Sequence, residues 1–130
     1  MQISKKLRNV EHNGLSFYCL GCRTMHMVNH GDGGWEWNGD VNAPTFSPSI
    51  KVTSGHHMPN HNRKDNCWCI YNAEQIAKGE EPSKFKCTVC HFFIKHGVVE
   101  FLSDCTHPLA GQTMPLPDLP DVYCDSEWLT

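Results

Sequence analysis

The chain has 130 residues, a formal net charge of −3 and 39% apolar residues, interrupted by ten glycines and eight prolines. That length suits one domain with a thin core, and the scattered basic residues do not make the stripe of a nucleic-acid binder. No apolar run is long enough to span a bilayer, and "MQISKKLRNVEHNG" carries no apolar stretch after its basic residues, so no secretory signal is predicted.

In chain order, "LSFYCLGC" reads as a strand entering a tight turn at Gly21, and "MHMV" as the strand that returns. "HGDGG" is turn chemistry, and "WEWNG" a short strand closed by Asn38-Gly39. "NAPTFSPSIKVT" opens as a proline-punctuated loop and becomes a strand through Ile50 and Val52. Residues 55–66 are polar, histidine-rich and irregular. "NAEQIAKG" predicts one short helix with Asn72 as its cap and Gly79 at its end. "HFFIKHGVVEFL" predicts a hairpin with strands 91–95 and 98–102 around His96-Gly97, and the proline-rich residues 113–130 predict an extended arm.

Eight cysteines and nine histidines stand out against this thin apolar content. Without a secretory signal the expected compartment is the cytoplasm, where closely spaced thiols mean metal more often than disulfide. Zinc takes four ligands in a tetrahedron, and a C-x2-C turn offers two thiolates to one ion. Cys19 and Cys22 have that spacing, as do Cys87 and Cys90. Cys67 and Cys69 form a tighter hook, and Cys105 with His107 a C-x-H hook of similar reach. Together they predict two zinc ions, one on Cys67, Cys69, Cys87 and Cys90, the other on Cys19, Cys22, Cys105 and His107. The second set would close a long loop and so constrain the unfolded chain. Cys124 reads as a thiol outside both sets. His26 can add a ligand to the first hook, and His57 and His61 lie in the polar loop. His91 adjoins Cys90 and points to the opposite face of its strand.

"CLGCRTMH", "WEWNGDVNAPTFSPSI", "CHFFIKHGVVEFLSDCTHPLAGQ" and "LPDLP" resemble a family of small bacteriophage and bacterial proteins. Many of its members carry an automated label of ammonia monooxygenase. The resemblance implies a metal-binding fold, a frequent phage origin and, for some bacterial relatives, neighbouring ubiquitin-like conjugation genes. It falls on Cys19, Cys22, His26, Cys90, His91, Cys105 and His107. Between residues 55 and 89 the chain departs from the pattern, and Cys67, Cys69 and Cys87 look like additions. If Cys90 joins Cys19, Cys22 and Cys105, those additions need His57 or His61. The monooxygenase label fits poorly, because that enzyme class works in a membrane-embedded copper protein, whereas thiol-rich hooks suit zinc.

Two functional readings follow. Sites built mainly of cysteine are usually closed and structural, and the chain has no H-E-x-x-H, G-x-S-x-G or phosphate-binding glycine loop. The expected protein is therefore a small β-rich (α+β) single domain of zinc-ribbon-like knuckles with one short helix. Residues 55–86 form an insertion, and the domain is expected to act by binding; that its partner is a host or phage protein, in takeover or counter-defence, is what the resemblance implies. The alternative is a zinc-dependent hydrolase or peptidase linked to ubiquitin-like conjugation. His91, Asp104 and His107 would then activate water, with Thr45, Ser47 and Ser49 as loop donors. Cys105 beside His91 can serve as a nucleophile only if it holds no metal. Trp35 and Trp37, alternating with Glu36, read first as core and second as an aromatic platform.

Overall fold

The computed structural model describes residues 1–54, 68–83 and 87–129, with residues 54 and 68–70 described by their backbone alone. Strands β1 (Arg8–Val10), β2 (Gly14–Cys19) and β3 (Thr24–Asn29) form an antiparallel meander in the order β1-β2-β3. Leu15, Phe17 and Cys19 alternate along β2 and are all buried, so the period of a half-buried strand turns the Cys19 thiol inward. The turn after β2 is tied by the Arg23 amide donating to the Cys19 carbonyl at 2.8 Å.

The second sheet has the order β4-β5-β6-β7-β8. It comprises β4 (Glu36–Trp37), β5 (Phe46–Ser54), β6 (Thr88–Lys95), β7 (Val98–Phe101) and β8 (Thr113–Pro115), with antiparallel pairing throughout. On β6, Cys90, Phe92 and Ile94 are buried, while His91, Phe93 and Lys95 face the other way. The two sheets meet at Phe17, whose ring lies 6.2 Å from that of Phe46 and 5.9 Å from that of Phe92. Leu7, Leu15, Val28, Ile50, Ile94, Phe101 and Leu116 complete this shared core.

The expected hairpin is present. His96 and Gly97 take φ of 51° and 74°, the left-handed pair that a two-residue turn needs to match strand twist. The C-terminal arm also lies on the body as expected, though its first residues join the sheet as β8. Farther on, the Leu119 amide donates to the Lys5 carbonyl, and Asp125 accepts from Arg8 and from the Gln2 amide.

Two elements differ from expectation. The loop before Ile50 is shorter, because β5 begins at Phe46 and carries Pro48, after a cis peptide, within the strand. Proline is tolerated there because the β5–β6 register breaks between Phe46 and Ile50. The helix α1 (Trp68–Ala77) starts four residues before Asn72, which lies inside it and accepts the Ser83 amide at 2.8 Å. Gly79 follows the helix with φ of 77°, as a helix terminator should. Residues 55–67 and 84–86 of the expected insertion, with Cys67, His57 and His61, lie outside the described residues. The described residues thus form a small β-rich domain with one short helix, and none of their helices is long and apolar enough to cross a membrane.

Candidate active site beside a cysteine–histidine cluster

The end of β2, the middle of β6 and the loop after β7 converge. Their ligand atoms, from Cys19, Cys22, Cys90 and His107, all lie within 4.8 Å of one another. The Cys19 and Cys90 sulfurs are 3.8 Å apart, and Cys90 Sγ is 3.4 Å from His107 Nε2. A tetrahedral zinc with Zn–S of about 2.3 Å and Zn–N of about 2.0 Å sets its ligand atoms roughly 3.5–3.8 Å apart. The donor set and the spacing therefore fit such an ion. Gly21 makes room for the imidazole, since a Cβ there would lie 2.3 Å from the ring.

The thiol chemistry points the same way. The neighbouring Cys90 thiol, followed by His26 and the Cys22 amide, holds Cys19 down to about 4 against the opposing effect of burial. Burial, and then the charge on Cys19, push Cys22 up to about 11. Hydrogen bonding to Cys19 and burial drive Cys90 strongly upward. One thiolate is accepted and further negative charge is resisted, which a dication among the sulfurs would reverse. His107 Nδ1 accepts the Leu109 amide at 3.2 Å, leaving the proton on Nε2. Ligation through Nε2 requires that proton to move.

On the opposite face of β6 a second constellation forms. Ser49 Oγ lies 3.0 Å from His91 Nε2, and His91 Nδ1 lies 3.1 Å from Asp104 Oδ2. A carboxylate can only accept, so Asp104 places the imidazole proton on Nδ1 and leaves the Nε2 lone pair for the serine hydroxyl. The order serine, imidazole, carboxylate is that of a nucleophile, its base and the group that orients the base.

Residues 102–106 hold Asp104 in place by running beside β6. The Leu102 amide donates to the His91 carbonyl at 2.9 Å and the Thr106 amide to the Val89 carbonyl at 2.9 Å. Cys105 Sγ accepts the His91 amide and donates to the His91 carbonyl, each at 3.2 Å.

A family model described as "Bacterial ubiquitination-like system serine protease (BubE)" matches residues 2–102. The chain belongs to the BubE family. No curated protein and no solved structure matches it. The BubE match takes in Ser49, His91, Cys19, Cys22 and Cys90, and stops two residues before Asp104.

Set against the sequence-based expectations, the structure exchanges two cysteines. Cys90 joins Cys19, Cys22 and His107, whereas Cys105 braces the His91 backbone instead. Both thiols are buried near the same junction, and the direction of each strand or turn decides which one reaches the cluster. The other expected set cannot be assembled as stated. Cys90 is drawn to the first cluster, Cys67 lies outside the described residues and Cys69 is described by its backbone alone. Cys87 stands just before β6, outside the cluster among the described residues. Cys124 donates to the Leu119 carbonyl in the arm.

His91 and Asp104 come together, but His107 turns to Cys90 and is not part of that pair. His26 is buried between Phe17 and Phe92 and stays outside the four converging ligands. Thr45 accepts the His96 amide and so serves the hairpin turn. Ser49, expected only as a loop donor, is the residue whose role sequence reasoning missed. Its signal was the "TFSPS" stretch feeding a strand that pairs with the one carrying His91.

Proposed function

We propose that the protein is a serine hydrolase, a peptidase acting within a ubiquitin-like conjugation system. The hydrogen-bonded series Ser49–His91–Asp104 carries this reading, and membership of the BubE family supplies the substrate class. Ser49 Oγ attacks the carbonyl carbon of an amide, and His91 Nε2 takes its proton. The same imidazolium then protonates the leaving amine, and a water activated by His91 releases the acyl group from Ser49. Asp104 keeps the ring oriented and stabilises it while it is charged.

The cluster is a closed set of three cysteines and one histidine, which suits structural zinc. Such an ion supplies a clamp between β2, β6 and the loop after β7. Water activation by His107 is therefore replaced by direct attack from Ser49. A second ion, using Cys67, Cys69 and Cys87, is a further proposal that metal counting decides. Binding without turnover is the weaker reading, because a protein that only captured a partner would gain nothing from an accessible serine with a base and a carboxylate in series.

The test is reaction with a fluorophosphonate probe, read by intact mass, and cleavage of a fusion that extends a ubiquitin-like protein beyond its C-terminal tail. One adduct at Ser49, and loss of both labelling and cleavage in Ser49→Ala, is the expected result. Labelling that persists in Ser49→Ala would overturn the assignment.

A further inference from the structure

We infer that Trp35 is a positioning residue for the nucleophile, acting through the backbone of Ser49. This rests on the reading of Ser49 as the attacking residue. Strand β5 pairs with β6 at Phe46↔Ile94 and again at Ile50↔Phe92, so residues 47–49 stand against Phe93 alone. A stretch that leaves the ladder loses the regular hydrogen bonds that would fix its backbone. Ser49 lies at the end of that departure with its hydroxyl 3.0 Å from His91 Nε2, and its backbone needs a substitute anchor to hold it there.

The substitute comes from the residue that leads into β4. Trp35 Nε1–H donates to the Ser49 carbonyl at 3.2 Å. The indole is itself fixed at its base. The Trp35 amide donates to the Asn29 carbonyl at 2.8 Å, and Gly34 beside it closes a turn onto the Gly31 carbonyl. A Cβ on Gly34 would lie 2.3 Å from the Asn29 carbonyl oxygen, so only glycine lets the chain leave β3 at this angle. The Trp35 ring also packs against the shared core. Trp35 therefore spans from the end of β3 to the carbonyl of the reactive serine, and a shift of about 1 Å there can cost about 100-fold in rate.

The experiment measures fluorophosphonate labelling rate and peptidase kinetics for Trp35→Phe, Trp35→benzothienylalanine and Gly34→Ala. Benzothienylalanine keeps the ring's shape while replacing its N–H by sulfur. Labelling should slow about 10- to 100-fold, with kcat reduced, KM unchanged and the pH profile of the reaction kept. The melting temperature and metal content of the sulfur analogue should match the parent protein. Gly34→Ala, which leaves the indole chemically intact but displaces it, should slow labelling in the same direction. A labelling rate within twofold of the parent in the sulfur analogue would overturn the inference, whether or not Trp35→Phe folds. An equal loss in kcat and melting temperature across all three variants would overturn it as well, by making Trp35 merely structural. Failure of the underlying reading shows separately, as labelling in Ser49→Ala.

Discussion

Cys90 and His91 are consecutive on β6 and face opposite sides of the sheet, the thiol toward the cysteine–histidine cluster and the imidazole toward Ser49. The loop that follows β7 repeats the arrangement, with Asp104 on the serine side and His107, three residues later, in the cluster. Each half of the base–carboxylate pair is thus anchored within three residues of a side chain in the cluster that could hold a metal ion.

Under the proposed reading, that coupling makes activity depend on an ion that does no chemistry. Stripping the metal with a strong chelator should lower the melting temperature and suppress fluorophosphonate labelling together, and restoring zinc should recover both. Elemental analysis during the titration checks it. Full labelling in material shown to be metal-free would separate the two sites.

Asp104→Asn should leave the fold intact and cut kcat severely. An amide can donate to His91 Nδ1 and so favour the wrong tautomer, a change worth about 10,000-fold in the serine protease triad. The side chain is 48% exposed, so the melting temperature should barely move. Steady-state kinetics alongside thermal melts measure this, and a kcat within tenfold of the parent would exclude Asp104 from the relay.

Cys90→Ala and Cys105→Ala should part company. The first removes a ligand and should abolish stoichiometric metal binding. The second should keep the ion but free the His91 backbone, costing about 1–2 kcal/mol of stability and slowing labelling. Native mass spectrometry of both variants decides, and loss of metal in Cys105→Ala would return that thiol to the ligand set.

Gly21→Ala should weaken metal binding by about tenfold or more, an effect of the size seen when groups supporting a metal ligand are disturbed. The new methyl meets the His107 ring itself, not the far end of a flexible chain. Competition with a chromogenic chelator gives the affinity, and unchanged affinity would show that His107 does not hold the ion in this position.

Acid should loosen the C-terminal arm. The Gln2 amide, then Arg8, hold the Asp125 carboxyl below its ordinary value of 3.8. A depressed folded value means the stabilisation is complete above the unfolded value and is lost as pH falls through the folded one. The protection factor of the Gln2 amide, exchange relative to the intrinsic rate at each pH followed downward from pH 5, should fall below about pH 4. In Asp125→Asn that amide should already exchange faster at pH 5.

Much of this was readable beforehand, and the failures share a cause. The hairpin was legible because His96-Gly97 sits between two apolar runs, and the ligand types were legible because C-x2-C spacing is chemically specific. His91 and Asp104 were nameable from their places at strand ends. The ligand partition was not, because Cys90 and Cys105 are both buried at one junction and only the path of the loop beside β6 separates them. Ser49 was hidden for a similar reason. No G-x-S-x-G announces it, and it lies beside a register break where Pro48 makes the strand read as loop.

That break makes chain length, as much as residue identity, the guarded quantity between Phe46 and Ile50. Because neighbouring positions on a strand face opposite ways, inserting one amino acid between Ser49 and Ile50 would swing the hydroxyl into the greasy interior while leaving composition almost untouched. Single-residue insertions or deletions in this short interval should be poorly tolerated even where conservative substitutions are accepted.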